Sequence, residues 1–423
     1  MGETVSIGGP AEAPPPAGPV AVPMAAPLSA SLSAPADRGP VAADPDRRSV
    51  RRSRIAVGAI FTLHGATNGS YAGRLPWLEN HLHATPGVLG AVMIAQGAGA
   101  LLASPATGAI GRRLRPRTRM RMFALAWTGS LALPALMPDV WTLAAVLLGF
   151  GAAAGCLDVA MNSMAVQVER RAGTSILSGL HGLWSVGVIL GSVAGGLSAD
   201  LGIGAPIQFL VTAALLSAIA IPVCGMVPAD EPEGVRVDPP RYALPTKPLL
   251  VIGIVAFCAV FAEGASDNWC AVYLTRVAHT SAATGAYCLT AFSIAMAAGR
   301  LSGDAIVRRF GAGATVRVGG VLTFFGAVLV VAARGPGLAF AGFAAIGLGI
   351  ATVVPLSIAA AGRTGLDSAS SVAGMTTIVY AGSLMAGPVV GGLGSAVSLP
   401  FAFCVVALGA VGIALGSRAV AVR

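Results

Sequence analysis

Charged side chains are scarce in this chain of 423 residues, since Asp, Glu, Lys and Arg together make up only 11% of it. An ordinary soluble domain contains roughly a quarter charged residues. Hydrophobic residues account for 55% of the chain. This composition argues against a soluble globular protein and predicts a polytopic membrane protein, in which each crossing helix needs about 20 mostly apolar residues.

Several chemical motifs are also absent. No glycine-rich loop ends in the lysine that phosphate binding needs, so we do not expect ATP-driven transport by this chain. No serine or cysteine stands in a nucleophile motif, and the five histidines lack zinc spacing. The six cysteines lie in or beside apolar stretches without paired or metal-ligand spacing. We therefore expect no enzyme activity, cofactor, metal site or disulfide framework.

Twelve apolar stretches are present instead, six in each half of the chain. They predict an all-α membrane protein with twelve transmembrane helices in two six-helix halves. The predicted stretches are 55–73, 88–110, 120–137, 140–166, 175–199, 203–226, 249–273, 283–306, 315–333, 338–361, 370–394 and 398–417.

Arginine and lysine positions predict the orientation, because short cytoplasmic loops carry the excess of these residues. The loop after the second stretch alone holds six arginines between Arg112 and Arg121, whereas the loops on the other side hold only Arg74, Arg276 and Arg334. Both termini are therefore predicted to be cytoplasmic, in a multi-pass protein of the cytoplasmic membrane. Lipid headgroups are sufficient partners for the net charge of +9, so we expect no nucleic-acid partner.

Two segments differ in composition from the rest. Residues 1–50 are rich in Pro, Ala, Gly and Ser, and we expect a disordered cytoplasmic tail. Residues 227–248 contain six prolines among charged residues and are predicted to be an extended cytoplasmic linker. The predicted six-helix bundles are 51–226 and 249–423, the second including a short tail.

The two halves repeat one another at an offset of 196 residues. This offset places Arg112 and Arg113 on Arg308 and Arg309, and it places Gly191 on Gly387. Such repeats in membrane chains build transport sites between two similar halves.

The glycine and arginine segments after the second and eighth stretches resemble the cytoplasmic signature of the major facilitator superfamily. They run from Gly108 to Arg117 and from Gly299 to Gly311. The resemblance implies a gating loop formed by Arg112, Arg113, Arg300, Asp304 and Arg308. The first copy departs from the family pattern because Arg112 stands at a usual aspartate position. Asp304 and Arg300 are one turn apart, which favours a local ion pair; plain topology charges are the alternative.

Three further segments, 157–162, 181–185 and 263–269, resemble a bacterial branch of this superfamily that is distantly similar to fucose permeases. The fucose permease resemblance implies proton symport through carboxylates inside the membrane. No metal or organic cofactor is implied, only a proton gradient.

Few ionisable residues lie within the predicted helices, and each is costly there unless it has a partner or a wet cavity. His64, Asp158 and His181 lie at similar depths, roughly 10–15 Å from the cytoplasmic edge. We interpret them as candidates for proton coupling. The alternative is that each histidine bonds a backbone carbonyl and Asp158 bonds Asn162, one turn on.

The seventh stretch carries a second group of candidates. The resemblance implies that this part of the seventh helix lines the cavity, so Glu263 is a candidate for proton coupling or solute contact. Asp267 either lines the cavity or reaches the outer interface. Asn268, Trp269 and Tyr273 follow as cavity candidates, although Trp269 also suits the interfacial aromatic belt.

Polar and aromatic residues at matched repeat positions complete the predicted cavity. His181 corresponds to Thr377 and Trp184 to Tyr380, whereas Asp158 and Glu263 correspond to residues that are not acidic. Facing aromatics can stack on a ring-bearing solute, or they can simply fill the core. The remaining cavity candidates are Asn68 and Asn162.

These features predict a secondary transporter that moves a small solute by alternating access, functional as a monomer and driven by a proton gradient. Export of a metabolite or drug and uptake of a sugar-like solute both remain open. The alternative function is a non-transporting sensor or scaffold with the same fold.

Overall fold

The computed structural model describes residues 45–111, 114–173, 176–227, 247–362 and 368–421, together with Gly2. Within these residues the secondary structure is entirely helical. A short 3₁₀ helix at Pro134–Leu136 accompanies fifteen α-helices. The α-helices are α1 (Pro45–Ala72), α2 (Leu75–His81), α3 (Pro86–Gly111), α4 (Pro116–Ser130), α5 (Val140–Ala172), α6 (Leu177–Asp200), α7 (Ala205–Gly225), α8 (Lys247–Arg276), α9 (Ala282–Phe310), α10 (Ala312–Ala332), α11 (Pro336–Ile350), α12 (Val353–Ala361), α13 (Ser368–Ala396), α14 (Leu399–Ala402) and α15 (Cys404–Val420).

Each of the twelve predicted stretches contains helix, which confirms the all-α membrane fold. The tenth is divided into α11 and α12 by a turn at Ala351 and Thr352, and the twelfth is divided into α14 and α15. Ten helical stretches of the described chain are long and apolar enough to cross a membrane. The two outside this set are α1, whose second half carries several polar residues, and α4, which has only 15 residues.

Helix ends follow from local sequence. The Asp139 carboxylate accepts hydrogen bonds from the backbone N–H groups of Trp141 and Thr142, which caps the first turn of α5. The helix ends at Gly173, whose φ of 65° is the left-handed conformation that glycine adopts without strain. Because Asp139 caps the start of α5, it marks the boundary between the third and fourth predicted stretches.

The helix pairs repeat as the sequence does. In the first half α1 packs on α6, α3 on α5 and α4 on α7; in the second half α8 packs on α13, α9 on α11 and α10 on α15. Glycines allow the closest approaches. A Cβ atom at Gly187 of α6 would lie 2.1 Å from the carbonyl oxygen of Thr62 in α1. The sequence repeat at an offset of 196 residues therefore corresponds to a repeat of helix packing in three dimensions.

The two halves meet along α6 with α9 and along α3 with α13. Polar contacts between the halves are found at the end where α1 leads into α2, which we call the distal end. It lies opposite the first residue of α1 and the last residue of α15. There the Arg276 Nε lies 2.8 Å from Glu79 Oε1, and the Arg276 guanidinium also donates to the Ala84 carbonyl at 3.2 Å. Tyr287 Oη donates to Asp200 Oδ2 at 2.7 Å. These bonds connect the two halves at the distal end.

Candidate functional site

An ion pair lies inside the membrane-spanning part of the second half. Arg300 of α9 and Glu263 of α8 approach to 2.9 Å between Nη2 and Oε1. Their side chains are 14% and 20% exposed, so neither is fully withdrawn from solvent. A charged pair at this depth offsets the cost that each charge would carry alone in a bilayer.

Arg300 also contacts the first half. Its Nη1 donates to Ser185 Oγ at 3.0 Å, and its guanidinium carbon lies 6.0 Å from the ring centre of Trp184. Ser185 and Trp184 both belong to α6. The guanidinium therefore joins the carboxylate of one half to a hydroxyl and an aromatic ring of the other.

The same network reaches His64. Trp184 Nε1 donates to His64 Nδ1 at 3.0 Å, which leaves the proton of a neutral imidazole on Nε2. The His64 ring also stacks on Trp127, with ring centres 5.1 Å apart. His64 is thus held as an acceptor by an aromatic side chain of α6.

His181 faces the space between the halves. Its side chain is exposed although it lies on a spanning helix, and its ring is edge-on to Phe61 at 5.4 Å. It also lies within electrostatic range of Arg300 and Glu263 of the other half. His181 therefore lies on the side of α6 that faces the second half.

Asp158 belongs to a separate group of polar contacts. Its Oδ1 accepts from Asn162 Nδ2 at 3.0 Å, and its Oδ2 accepts from Tyr380 Oη at 3.1 Å. Asn162 lies one turn on in α5, whereas Tyr380 lies on α13 of the other half. No histidine donates to Asp158 among the described residues, so the structure does not assemble Asp158, His64 and His181 into one hydrogen-bonded cluster.

The remaining predicted residues are divided between the cavity region and the core. Asp267 is half-buried, one turn from Glu263 and within electrostatic range of both Glu263 and Arg300. Trp269 is fully buried, and Tyr273 packs against Phe343 and Phe403 in the core of the second half. Asn268 of the same helix, Asn68 of α1 and Thr377 of α13 are further half-buried cavity candidates.

The expected gating loop is only partly described. Arg112 and Arg113 lie outside the described residues, and Asp304 and Arg308 are exposed. The expected local pair between Arg300 and Asp304 is wrong, because the Arg300 guanidinium points into the protein and pairs with Glu263. Arg300 is therefore a cavity residue rather than part of a surface loop.

Two functional contacts were not predicted from the sequence. Ser185 lies in a segment that resembles the family, but no role was assigned to it. Glu79, at the distal end, follows a predicted helix and was not singled out at all.

Comparisons with known proteins agree with this architecture. The model of the Major Facilitator Superfamily matches residues 57–388. An uncharacterized transporter of Sinorhizobium fredii is 32% identical over 83% of this chain and 94% of its own. Among solved structures, a mutant of the nucleoside transporter NupG is similar with a TM-score of 0.67 and 15% identity, covering 87% of this chain and 99% of its own. FucP, the fucose:proton symporter of E. coli, is similar in its outward conformation with a TM-score of 0.60 and 18% identity, covering 89% and 100%.

Proposed function

Because the chain belongs to the Major Facilitator Superfamily, we propose that it is a proton-coupled secondary transporter that carries a small solute by alternating access. In such transporters the two halves rock about a site near the middle of the membrane. The cavity-facing polar and aromatic side chains of both halves are the proposed solute site.

The observation that carries the proposal is the bridge from Glu263 through Arg300 to Ser185. Glu263 and Arg300 lie on the second half and Ser185 on the first, with distances of 2.9 Å and 3.0 Å. A bond between the halves contributes free energy only to those states in which the halves are close enough to form it. A change of charge at Glu263 therefore changes the relative stability of the transport states, which is the only way that a proton gradient can drive the cycle.

The proposed order of events follows from this bridge. While Glu263 is ionised it holds the Arg300 guanidinium in place against Ser185 and Trp184. A proton on Glu263 removes the charge that fixes Arg300, and the contact with α6 weakens. Asp267 lies one turn away and within electrostatic range of the same guanidinium.

The first test is proton movement in proteoliposomes that contain purified protein and a trapped pH-sensitive dye. Fucose, uridine, glucosamine and gluconate serve as probe solutes, each added separately on the outside and tested with and without an imposed pH gradient. We expect at least one solute to move protons, and the sign of the flux gives the direction of coupling.

The variant Glu263→Gln should abolish accumulation driven by the gradient, while counterflow exchange of the same solute continues. Asp139→Asn is the matched control, because it makes the same carboxylate-to-amide change at an exposed helix cap that asparagine fills equally well. Solute movement without proton movement in the unmodified protein would contradict the proposal. So would full accumulation in the Glu263→Gln variant.

A further inference from the structure

The contact between Asp158 and Tyr380 is another polar bridge near the middle of the membrane that joins the two halves. We propose that Asp158 recognises the transported solute through an N–H or O–H donor, and that this donor displaces the Tyr380 hydroxyl from Asp158 Oδ2. The inference rests on the proposed transport function and assigns the solute class for the same cavity.

Asp158 is oriented by its own helix. Asn162 Nδ2 donates both to Asp158 Oδ1 at 3.0 Å and to the Asp158 backbone carbonyl at 2.9 Å. These bonds are local to α5 and do not depend on the other half. Oδ2 therefore keeps its direction toward the second half even when the halves separate.

The charge around Asp158 defines the chemistry of the solute. Its hydrogen-bond donors are a neutral amide and a neutral hydroxyl, and Asp158 has no ion pair with a cationic side chain among the described residues. A carboxylate inside a spanning helix is stabilised by any further donor, and most by a cationic one. An ammonium or hydroxyl group of a solute fits this oxygen, whereas an anionic solute is repelled.

The other charges of the cavity act in the same direction. Glu263 and Asp267 are two carboxylates beside a single guanidinium, that of Arg300. Together with Asp158 they give this region, among the described residues, three carboxyl groups against one guanidinium, beside the imidazoles of His64 and His181. The cavity therefore favours neutral polyols and amines over organic acids.

The displacement also connects recognition with movement of the halves. Tyr380 belongs to α13 and Asp158 to α5, so their 3.1 Å bond forms only while these helices are close. A solute that takes the place of the Tyr380 hydroxyl removes one bond between the halves. Binding then favours the state in which α5 and α13 separate.

The test is solute binding to purified full-length protein, measured as thermal stabilisation over a concentration series. The probes are glucose, glucosamine, fucose, uridine and gluconate. Glucose and glucosamine differ by one hydroxyl and one amine, so this pair separates the two donor types, and gluconate tests the anion. We expect stabilisation by at least one of the four donors that are not anionic, and none by gluconate.

Two variants are expected to change the affinity in opposite directions. Asp158→Asn places an amide donor where the solute donor binds and should weaken binding about tenfold or more. Tyr380→Phe removes the competing hydroxyl and should tighten binding by about threefold. Tyr273→Phe is the matched control, since it removes a tyrosine hydroxyl in the core of the second half, and its affinity should equal that of the unmodified protein.

Several results overturn the inference. These are stabilisation by gluconate alone, stabilisation by none of the probes, unchanged affinity in Asp158→Asn, or equal weakening in Asp158→Asn and Tyr380→Phe. Failure of the transport proposal has a different signature, because solute would then bind with these affinity changes while no proton moves in proteoliposomes.

Discussion

Replacing Arg276 and replacing Glu79 should shift the distal end in opposite directions, although the two side chains form one ion pair. The Glu79 side chain is 2% exposed, whereas that of Arg276 is 43% exposed. Burial raises the pKa of Glu79 above its ordinary value, and the hydrogen bond and charge of Arg276 only partly reverse this effect. The negative charge of Glu79 therefore costs free energy while the distal end is closed.

The magnitudes follow from which charge is left behind. Arg276→Gln leaves the buried Glu79 carboxylate uncompensated, which costs about 3 kcal/mol. This free energy corresponds to a roughly 100-fold increase in the equilibrium ratio of the state with the distal end open to the state with it closed. Glu79→Gln leaves only an exposed guanidinium that water can solvate. The free-energy difference between the open and closed states of the distal end should therefore change by at most about 1 kcal/mol, in favour of the closed state.

The pH dependence has a defined sign. Since the pKa of Glu79 is raised when the distal end is closed, the carboxyl group stabilises the closed state most below its ordinary pKa. This contribution is lost as the pH rises through the raised pKa. The closed fraction of the unmodified protein should therefore fall with rising pH over that window, and Glu79→Gln should remove this component.

The assay is the distance between spin labels at Leu201 and Val397, measured by pulsed electron paramagnetic resonance. These positions are related by the 196-residue repeat and are 75% and 62% exposed, so labels are tolerated there. The exposed Cys404 would be replaced by serine beforehand. If Glu79→Gln opens the distal end as much as Arg276→Gln does, the reasoning from burial is refuted.

Two further predictions concern helix packing and capping. Gly151→Ala should lower the melting temperature, at a cost of about 1–3 kcal/mol, because the new Cβ atom would lie 1.8 Å from the carbonyl oxygen of Gln96. Gly149→Ala is the control and should leave the melting temperature unchanged, because a Cβ atom there has no neighbour within 4 Å. Asp139→Ala should also lower the melting temperature, whereas Asp139→Asn should keep the cap. The hydrogen bond from the backbone N–H of Thr142 lowers the pKa of Asp139. The contribution of the Asp139 cap to folding stability should therefore be complete above the ordinary pKa of aspartate, and it should disappear only as the pH falls through the lowered pKa.

Much of the fold was predictable because apolar length and helix caps are local properties of the sequence. The fourth stretch was predicted to begin at residue 140, where α5 does begin, after the cap formed by Asp139. The sixth was predicted at 203–226 and is observed as Ala205–Gly225. The break between α11 and α12 was not predicted, because a turn of two residues leaves the apolar composition of the stretch unchanged.

The partners within the site were harder to predict, because they depend on contacts between helices that are distant in sequence. Helical spacing assigned Arg300 to Asp304, one turn away, although it pairs with Glu263 of another helix. Spacing did support the bond between Asp158 and Asn162, which was the alternative interpretation and is local to α5. It gave no indication that Tyr380 would donate to the other oxygen of the same carboxylate.

The short helix α4 has a consequence for the surrounding lipid. Its 15 residues span about 22 Å, and its first turns carry Arg117, Arg119 and Arg121. The hydrocarbon layer of a typical bilayer is about 30 Å thick. Arginine side chains that extend toward the headgroups and local thinning of the membrane are the two ways to accommodate this mismatch. Lipids with longer acyl chains should therefore strain the protein first along α4, which makes bilayer thickness a variable to control in any reconstitution.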